Sequence, residues 1–271
     1  MDASPFVLLR GGGDLASGVA ARLFRSGFRL LITELAQPRA IRRLASFSEA
    51  VYVGKVQVEG IEAVRVEAIE AALPTAEEGR IAVLVDPQAE VRHKVPLLAI
   101  VDARMRKRPP ELGIESAPMT IGLGPGFTAG ADCHAVVETQ RGHRLGRVIW
   151  RGLAAPDTGR PGEIAGEAER RLLRAPIEGV IHGLVSISAG VMAGQPVAEV
   201  DGHTVAAPIA GVVRGLLHEG LSVSAGEKVG DIDPRGDPAY CREISDKALA
   251  VGGGVLEALL TRAENRQALR G

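Results

Sequence analysis

Aromatic side chains are scarce. Phe, Trp and Tyr make up 3% of the 271 residues, which argues against a surface that stacks on bases or sugars. Cys133 and Cys241 are the only cysteines, too few for a disulfide framework, so a reducing, cytoplasmic setting is expected. No apolar run approaches the roughly 20 residues that span a bilayer, and no membrane association is expected. The opening "MDASPFVLLRGGGD" lacks a basic segment followed by a long apolar run, so a signal peptide is not expected either. A net charge of −1 offers no basic face to nucleic acid. What the chain has in plenty is glycine, 34 residues, and apolar side chains, 46%. The first implies many tight turns and the second a packed core, in one large domain or two ordinary ones.

Residues 1–152 read as an α/β unit. "FVLLR" is a buried strand, and "DLASGVAARLFRSG" carries apolar residues at helical spacing with Asp14 as a candidate N-cap. "FRLLITE" is a second strand. "EAVYVGKVQVEGIEAVRV" alternates like short strands. "RIAVLVDP" and "LLAIVDA" are apolar runs ending in Asp86 and Asp102, while "APMTIGLG", "AVVET" and "GRVIW" supply further strands. Alternating strands and helices predict a doubly wound, Rossmann-like parallel sheet. Residues 153–167, rich in Gly, Pro and Ala, read as a linker.

Residues 168–234 hold an internal repeat. "APIEGVIHGLVSISAGVMAGQPVAEVD" from Ala175 aligns without a gap on "APIAGVVRGLLHEGLSVSAGEKVGDID" from Ala207, an offset of 32 residues. Two copies of one supersecondary unit that bury their faces together are expected. The pattern resembles the all-β barrel-sandwich fold of biotinyl and lipoyl carrier domains. Those carry an acylated lysine on the hairpin between the halves. Here that hairpin, "EVDGHTVAAP", has His203 near its tip and no lysine, so a structural or docking module is expected in place of a carrier. Residues 235–271 form a tail in which Ser245 caps a helix and "VLEALLTRAENRQAL" is amphipathic. It is expected to pack back on the first domain or on a partner chain.

The turn "RGGGDLASG" follows the first strand and opens the first helix. Gly11, Gly13 and Ala16 fit the G-x-G-x-x-G/A dinucleotide pattern, in which backbone amides approach a pyrophosphate at a helix N-terminus. Glu34 ends the second strand 21 residues after Gly13, where a ribose-binding acid belongs. Asp14 dissents, because its carboxylate opposes an anion there while stabilising the empty helix end. The alternatives are a phosphate or nucleotide site and a turn adapted to something else. An NAD(P)-dependent oxidoreductase is one reading, although no hydride-transfer residue set accompanies the turn.

The stretch "IGLGPGFTAGADCHAVVETQRGH" places Gly122, Gly124, Gly126 and Gly130 around Pro125, then Cys133, His134, Glu138 and His143. Such glycines either form an anion-binding nest or let strands cross closely. A thiolate at Cys133 needs a nearby cation or amide cluster. Neighbours in a strand point to opposite faces, so His134 is not automatically its partner. The spacing matches no zinc site, and no metal is expected.

"LLRGGGDLASGVAARLFRSGFRLLITELAQPRAIRR", "SFSEAVYVGKVQVEGI", "IGLGPGFTAGADCHAVVETQRGHRLGRVIW" and "ISDKALAVGGGVLEALL" together resemble the YqeB-type proteins. That family is described as accessory factors of selenium-dependent molybdenum hydroxylases and is distantly similar to the XdhC/CoxF maturation factors of xanthine and carbon monoxide dehydrogenases. The resemblance implies binding of molybdenum cofactor (molybdopterin or its dinucleotide form) and help with its selenation, sulfuration or insertion. It implies a molybdenum hydroxylase client, and a homo-oligomer is a further expectation. In this reading Gly11, Gly13, Asp14 and Glu34, with Gly122, Gly124 and Gly126, line the cofactor site. Asp86 and Asp102 face the same cleft, Arg104 and Arg106 neutralise phosphate, and Cys133, His134 and Glu138 carry the sulfur or selenium chemistry. Cys133 is the expected reactive thiol, with a lowered pKa, and Cys241 the inert one.

Overall fold

A computed structural model describes residues 5–105, 108–159, 162–267 and 269. Arg106 lies outside the described residues. The chain divides into two units, one of residues 1–38, 47–157 and 244–271, the other of residues 39–46 and 158–243.

The first unit is built on one sheet. In chain order it contains β1 (Phe6–Arg10), α1 (Asp14–Arg25), β2 (Leu30–Glu34), α2 (Ala50–Val53), β3 (Lys55–Val58), β4 (Ile61–Val66), α3 (Ala72–Glu77), β5 (Ile81–Val85) and β6 (Leu97–Asp102). There follow β7 (Thr120–Leu123), β8 (Thr128–Ala129), β9 (Ala135–Val137), β10 (Val148–Ile149) and β11 (Gly152–Leu153). The nine-stranded sheet has the order β10-β9-β7-β6-β1-β2-β5-β4-β3. Its seven inner strands, β9 to β4, run parallel. β10 and β3 pair antiparallel at the two edges. Every residue of β1 is buried, which is why "FVLLR" has no polar alternation: a central parallel strand is covered on both faces. β8 and β11 form a separate two-stranded ribbon.

One face of this sheet is covered by α1 and by α4 (Asp246–Leu260), which arrives from the far end of the chain and is followed by α5 (Ala263–Gln267). The chain breaks between α4 and α5, so the apolar stripe of "VLEALLTRAENRQAL" is not one helix. Ser245 caps α4, its hydroxyl accepting from the Ala248 amide at 3.2 Å. In α1, Asp14 in the first turn and Arg22 and Arg25 in the last suit the helix dipole.

The second unit holds β12 (Leu172–Arg174), β13 (Gly179–Gly183), β14 (Gly190–Val191), β15 (Pro196–Val200), β16 (His203–Ala206), β17 (Gly211–Leu216), β18 (Ser222–Val223) and β19 (Lys228–Asp233). They make two four-stranded antiparallel sheets, β12-β19-β17-β14 and β16-β15-β13-β18. The 32-residue offset carries β13, β14 and β15 onto β17, β18 and β19. The pairing is reciprocal: β14 of the first copy pairs with β17 of the second, and β18 of the second with β13 of the first. Each copy thereby completes the other's sheet.

These sheets correct the expected fold class, a doubly wound Rossmann-like domain followed by a barrel-sandwich module of the biotinyl or lipoyl kind. A doubly wound sheet needs a helix on each crossover. Among the described residues there is only a 3-10 turn at Glu90–His93 between β5 and β6, and only one at Ile114–Ser116 between β6 and β7. "DPQAEVRHKV" and "ELGIESAP" are too short and proline-broken for a helical stripe. The result is a large mixed sheet with antiparallel edges. The second unit is two antiparallel sheets, not a self-contained carrier repeat. It takes β12 from outside the repeat and packs Ile41, far upstream, against its core.

Candidate functional site

Leaving β1, the chain steps to β2 and β5 on one side and to β6, β7 and β9 on the other. The boundary between β1 and β6 is therefore a switch point, and the crevice outside the carboxyl ends of strands at such a point is where open α/β sheets place ligands. The residues that end these strands are Arg10, Glu34 and Asp102, with Arg10 and Asp102 directly opposite each other in register.

The glycine turn follows Arg10. Gly11 has φ +95°, a left-handed conformation that glycine adopts without penalty. Gly12 lies under the segment that follows the second strand. A side chain there would begin 2.9 Å from the Ser48 amide nitrogen, and that amide donates to the Gly12 carbonyl at 2.8 Å. Gly13 is the N-cap of α1, and a side chain there would meet nothing within 4 Å among the described residues. The turn is thus packed at Gly12 and open at Gly13. Asp14 opens the helix. Glu34 faces the turn: Oε1 accepts the Gly12 amide at 2.6 Å and Oε2 the Leu35 amide at 2.8 Å. Burial raises the Glu34 carboxyl above its ordinary range, against the pull of those amides and of the Arg104 charge.

Arg10 is 1% exposed. It donates to Asp102 Oδ2 at 3.2 Å, to Glu111 Oε2 at 3.1 Å and to the Pro87 carbonyl at 3.3 Å. Arg104 grips Asp102 with two nitrogens, at 2.9 and 2.5 Å, and reaches Glu111 Oε2 at 2.8 Å. Two guanidinium groups and two carboxylates alternate in a closed ring. It adjoins the glycine turn, since a side chain on Gly11 would begin 3.2 Å from Arg104 Cγ. Asp86 stands apart, its Oδ2 accepting the Val91 amide at 2.8 Å and so pinning the 3-10 turn that follows.

The second glycine stretch is tightly packed. A side chain on Gly122 would run into the Phe127 ring, and one on Gly124 into the Thr139 hydroxyl. The Gly124 amide donates to the Val137 carbonyl at 2.9 Å. Gly126 adopts φ +106°. Gly122 and Gly124 are therefore explained by close strand packing.

Cys133 is buried among Phe127, Ala129, Val136 and Ala154, and its thiol donates to the Ala135 carbonyl at 3.2 Å. Burial pushes the thiol up to about 11, helped by the Asp132 and Asp102 carboxylates and opposed by hydrogen bonds to the Gly122 and Ala135 backbone. The expectation of a lowered pKa is corrected: the loop encloses the sulfur in apolar side chains, and loss of water outweighs the amides. His134 turns away. Its Nδ1 accepts the Thr120 amide at 3.0 Å, and burial, then the Arg262 charge, lowers its pKa. Glu138, 3% exposed, accepts the Gln140 amide at 2.7 Å and the Ala155 amide at 2.8 Å. The structure does not bring Cys133, His134 and Glu138 together, and His143 is exposed. Cys241 is buried in the second unit. Among the described residues, no group of three or more His, Cys, Asp or Glu side chains is placed to hold a metal, and no helix is long and apolar enough to cross a membrane.

Sequence reasoning missed Arg10 and Glu111. Arg10 carried a signal, a charge closing an otherwise apolar strand. Glu111, in "PPELGIES", carried none.

No family model matches the chain. The chain is similar to YqeB. That uncharacterized protein of Escherichia coli K12 is 46% identical over 254 residues, 94% of this chain and 47% of the relative. The chain thus spans about half the length of the curated relative it matches. Among solved structures, the ectoine utilization protein EutE (DoeB) of Ruegeria pomeroyi is 12% identical and overlaps 85% of this chain and 53% of that one, with a TM-score of 0.23. An aspartoacylase family protein of Mesorhizobium loti is also 12% identical, over 84% and 85%, with a TM-score of 0.27. Overlaps that loose carry no argument about fold or activity.

Proposed function

We propose that the chain is an accessory factor for a selenium-dependent molybdenum hydroxylase, and that it holds the phosphate-bearing end of molybdenum cofactor at the Gly11–Gly13 turn. The observation that carries this reading is the turn itself: a helix N-terminus left open at Gly13, at the switch point of a parallel sheet, with Glu34 2.6 Å from the Gly12 amide. Backbone amides and the helix dipole favour an anion there. The motif resemblance to YqeB-type proteins supplies the cargo, and the similarity to YqeB is in keeping with it. The chemistry assigned is binding and delivery. A neutral, buried Cys133 thiol is a poor nucleophile, so any sulfur or selenium enters the cofactor by another donor.

A second reading, binding of NAD(P) by an oxidoreductase, is favoured by the position of Glu34, which suits a ribose hydroxyl as well as it suits the turn. Native mass spectrometry of protein made in a molybdenum-replete host separates the two. A pterin or pterin-nucleotide mass is expected, whereas a nicotinamide mass selects the second reading. Gly13→Val adds bulk where nothing else lies within 4 Å among the described residues, so it blocks a ligand without disturbing packing. Retention of the bound mass by a folded Gly13→Val protein removes the turn from consideration.

A further inference from the structure

The geometry points to Glu111 as a displaceable stand-in for a ligand oxyanion, so that the paired guanidinium groups of Arg10 and Arg104 form the anchoring site for a phosphate or pyrophosphate group. This rests on the reading of the adjoining turn as a phosphate-binding element, and it names the side chains that supply the positive charge.

The two carboxylates of the ring are not equivalent. Asp102 ends a buried strand, and its side chain is 10% exposed. It accepts from Arg10, from both Nε and Nη2 of Arg104, and from the Arg104 amide at 3.3 Å. Glu111 lies on the connection between β6 and β7, and its side chain is 41% exposed. A single oxygen, Oε2, bridges Arg10 Nη2 at 3.1 Å and Arg104 Nη1 at 2.8 Å. One anionic oxygen held between two guanidinium groups is the arrangement that a phosphate oxygen takes.

Geometry says what replaces it. With Glu111 swung into water, Arg10 Nη2 and Arg104 Nη1 lose the one oxygen they share, while Asp102 keeps its bonds to both guanidinium groups. Two guanidinium groups already converging on one point favour another anionic oxygen there. Arg104 borders the turn through its Cγ beside Gly11, so a pyrophosphate lying along the amides at Gly13 reaches the same guanidinium. The exchange of one partly exposed carboxylate for one phosphate oxygen conserves the contacts, which keeps the protein-side cost small.

Titration calorimetry with inorganic pyrophosphate tests this on the full chain, comparing wild type with Glu111→Gln, Glu111→Ala and Gly13→Val. Both Glu111 variants remove the competing charge and are expected to bind about five-fold more tightly than wild type, the scale of a partly exposed ion pair. Unchanged or weaker binding in both Glu111 variants overturns the proposal, as does pyrophosphate failing to bind wild type and variants alike. If the Glu111 variants bind more tightly while Gly13→Val is unaffected, the arginine site stands and the turn does not. If Gly13→Val abolishes binding and the Glu111 changes do nothing, the turn stands and displacement is wrong.

Discussion

Cys133 receives the Gly122 amide and gives its proton to the Ala135 carbonyl, yet its thiol sits near 11 because water is gone from around it. At pH 8 about one molecule in a thousand carries the thiolate with such a pKa. Iodoacetamide should therefore label Cys133 negligibly at neutral pH, with a rate that climbs only as pH nears 11. An apparent pKa at or below about 8.5, the range of a free thiol, would show that the sulfur meets water or a cation that this packing denies it. The same local physics explains why adjacent letters mislead. "CH" reads as a thiol beside its base, but the sulfur is enclosed among Phe127, Ala129, Val136 and Ala154, and His134 spends its ring nitrogen on Thr120.

Helices α1 and α4 meet through small residues. A side chain on Gly18 would begin 2.5 Å from the Ala248 carbonyl oxygen, and one on Gly252 would begin 2.6 Å from the Gly18 carbonyl oxygen. Gly253, the next residue along α4, has nothing within 4 Å among the described residues. The two neighbouring glycines should therefore respond to alanine with opposite sign. Gly252→Ala forces the helices apart and should cost about 1–3 kcal/mol. Gly253→Ala adds helix propensity without a clash and should stabilise by about 0.5–1 kcal/mol. Urea unfolding of the two variants measures both, and equal effects would mean that the helices do not cross at Gly18 and Gly252. "AVGGGV" shows three glycines in a row, but which of them faces another helix depends on a partner some 230 residues upstream, and no local pattern carries that.

Across the whole molecule, legibility followed sequence distance. The repeat was visible because its copies are adjacent and ungapped, and the glycine turn and Glu34 because their spacing is local. The bond between Arg10 and Glu111 spans 101 residues and left no trace in either neighbourhood. The placing of Ile41 against the second unit's core was equally hidden, whereas the return of the tail helix to the first unit, one of the two placements expected for it, is what α4 does. Alternating strands alone do not reveal the crossovers, because the segments between β5 and β6 and between β6 and β7 are too short and proline-broken to form the helices that alternation suggests. Two buried groups, one in each unit, then give the molecule opposite pH limits. Asp233 is buried, which alone would raise its carboxyl. Hydrogen bonds from the Arg235 side chain and amide and the Arg214 charge outweigh this and hold it below its ordinary value. A depressed carboxyl stabilises the fold above the unfolded pKa, so the second unit loses stability as pH falls below about 4. Cys133 behaves in the other direction. Its raised pKa leaves stability intact below the unfolded value of 9.0 and removes it as pH climbs toward about 11, by roughly 2 to 3 kcal/mol. Calorimetric melting across pH should show acid weakening the second unit and alkali the first. Cys133→Ala should flatten the alkaline decline while leaving the acid side alone, and Asp233→Asn should flatten the acid side from a lower starting stability, because Arg214 and Arg235 lose the Asp233 carboxylate charge. An alkaline decline of the same size in Cys133→Ala would mean that some other group, not this buried thiol, sets the upper limit.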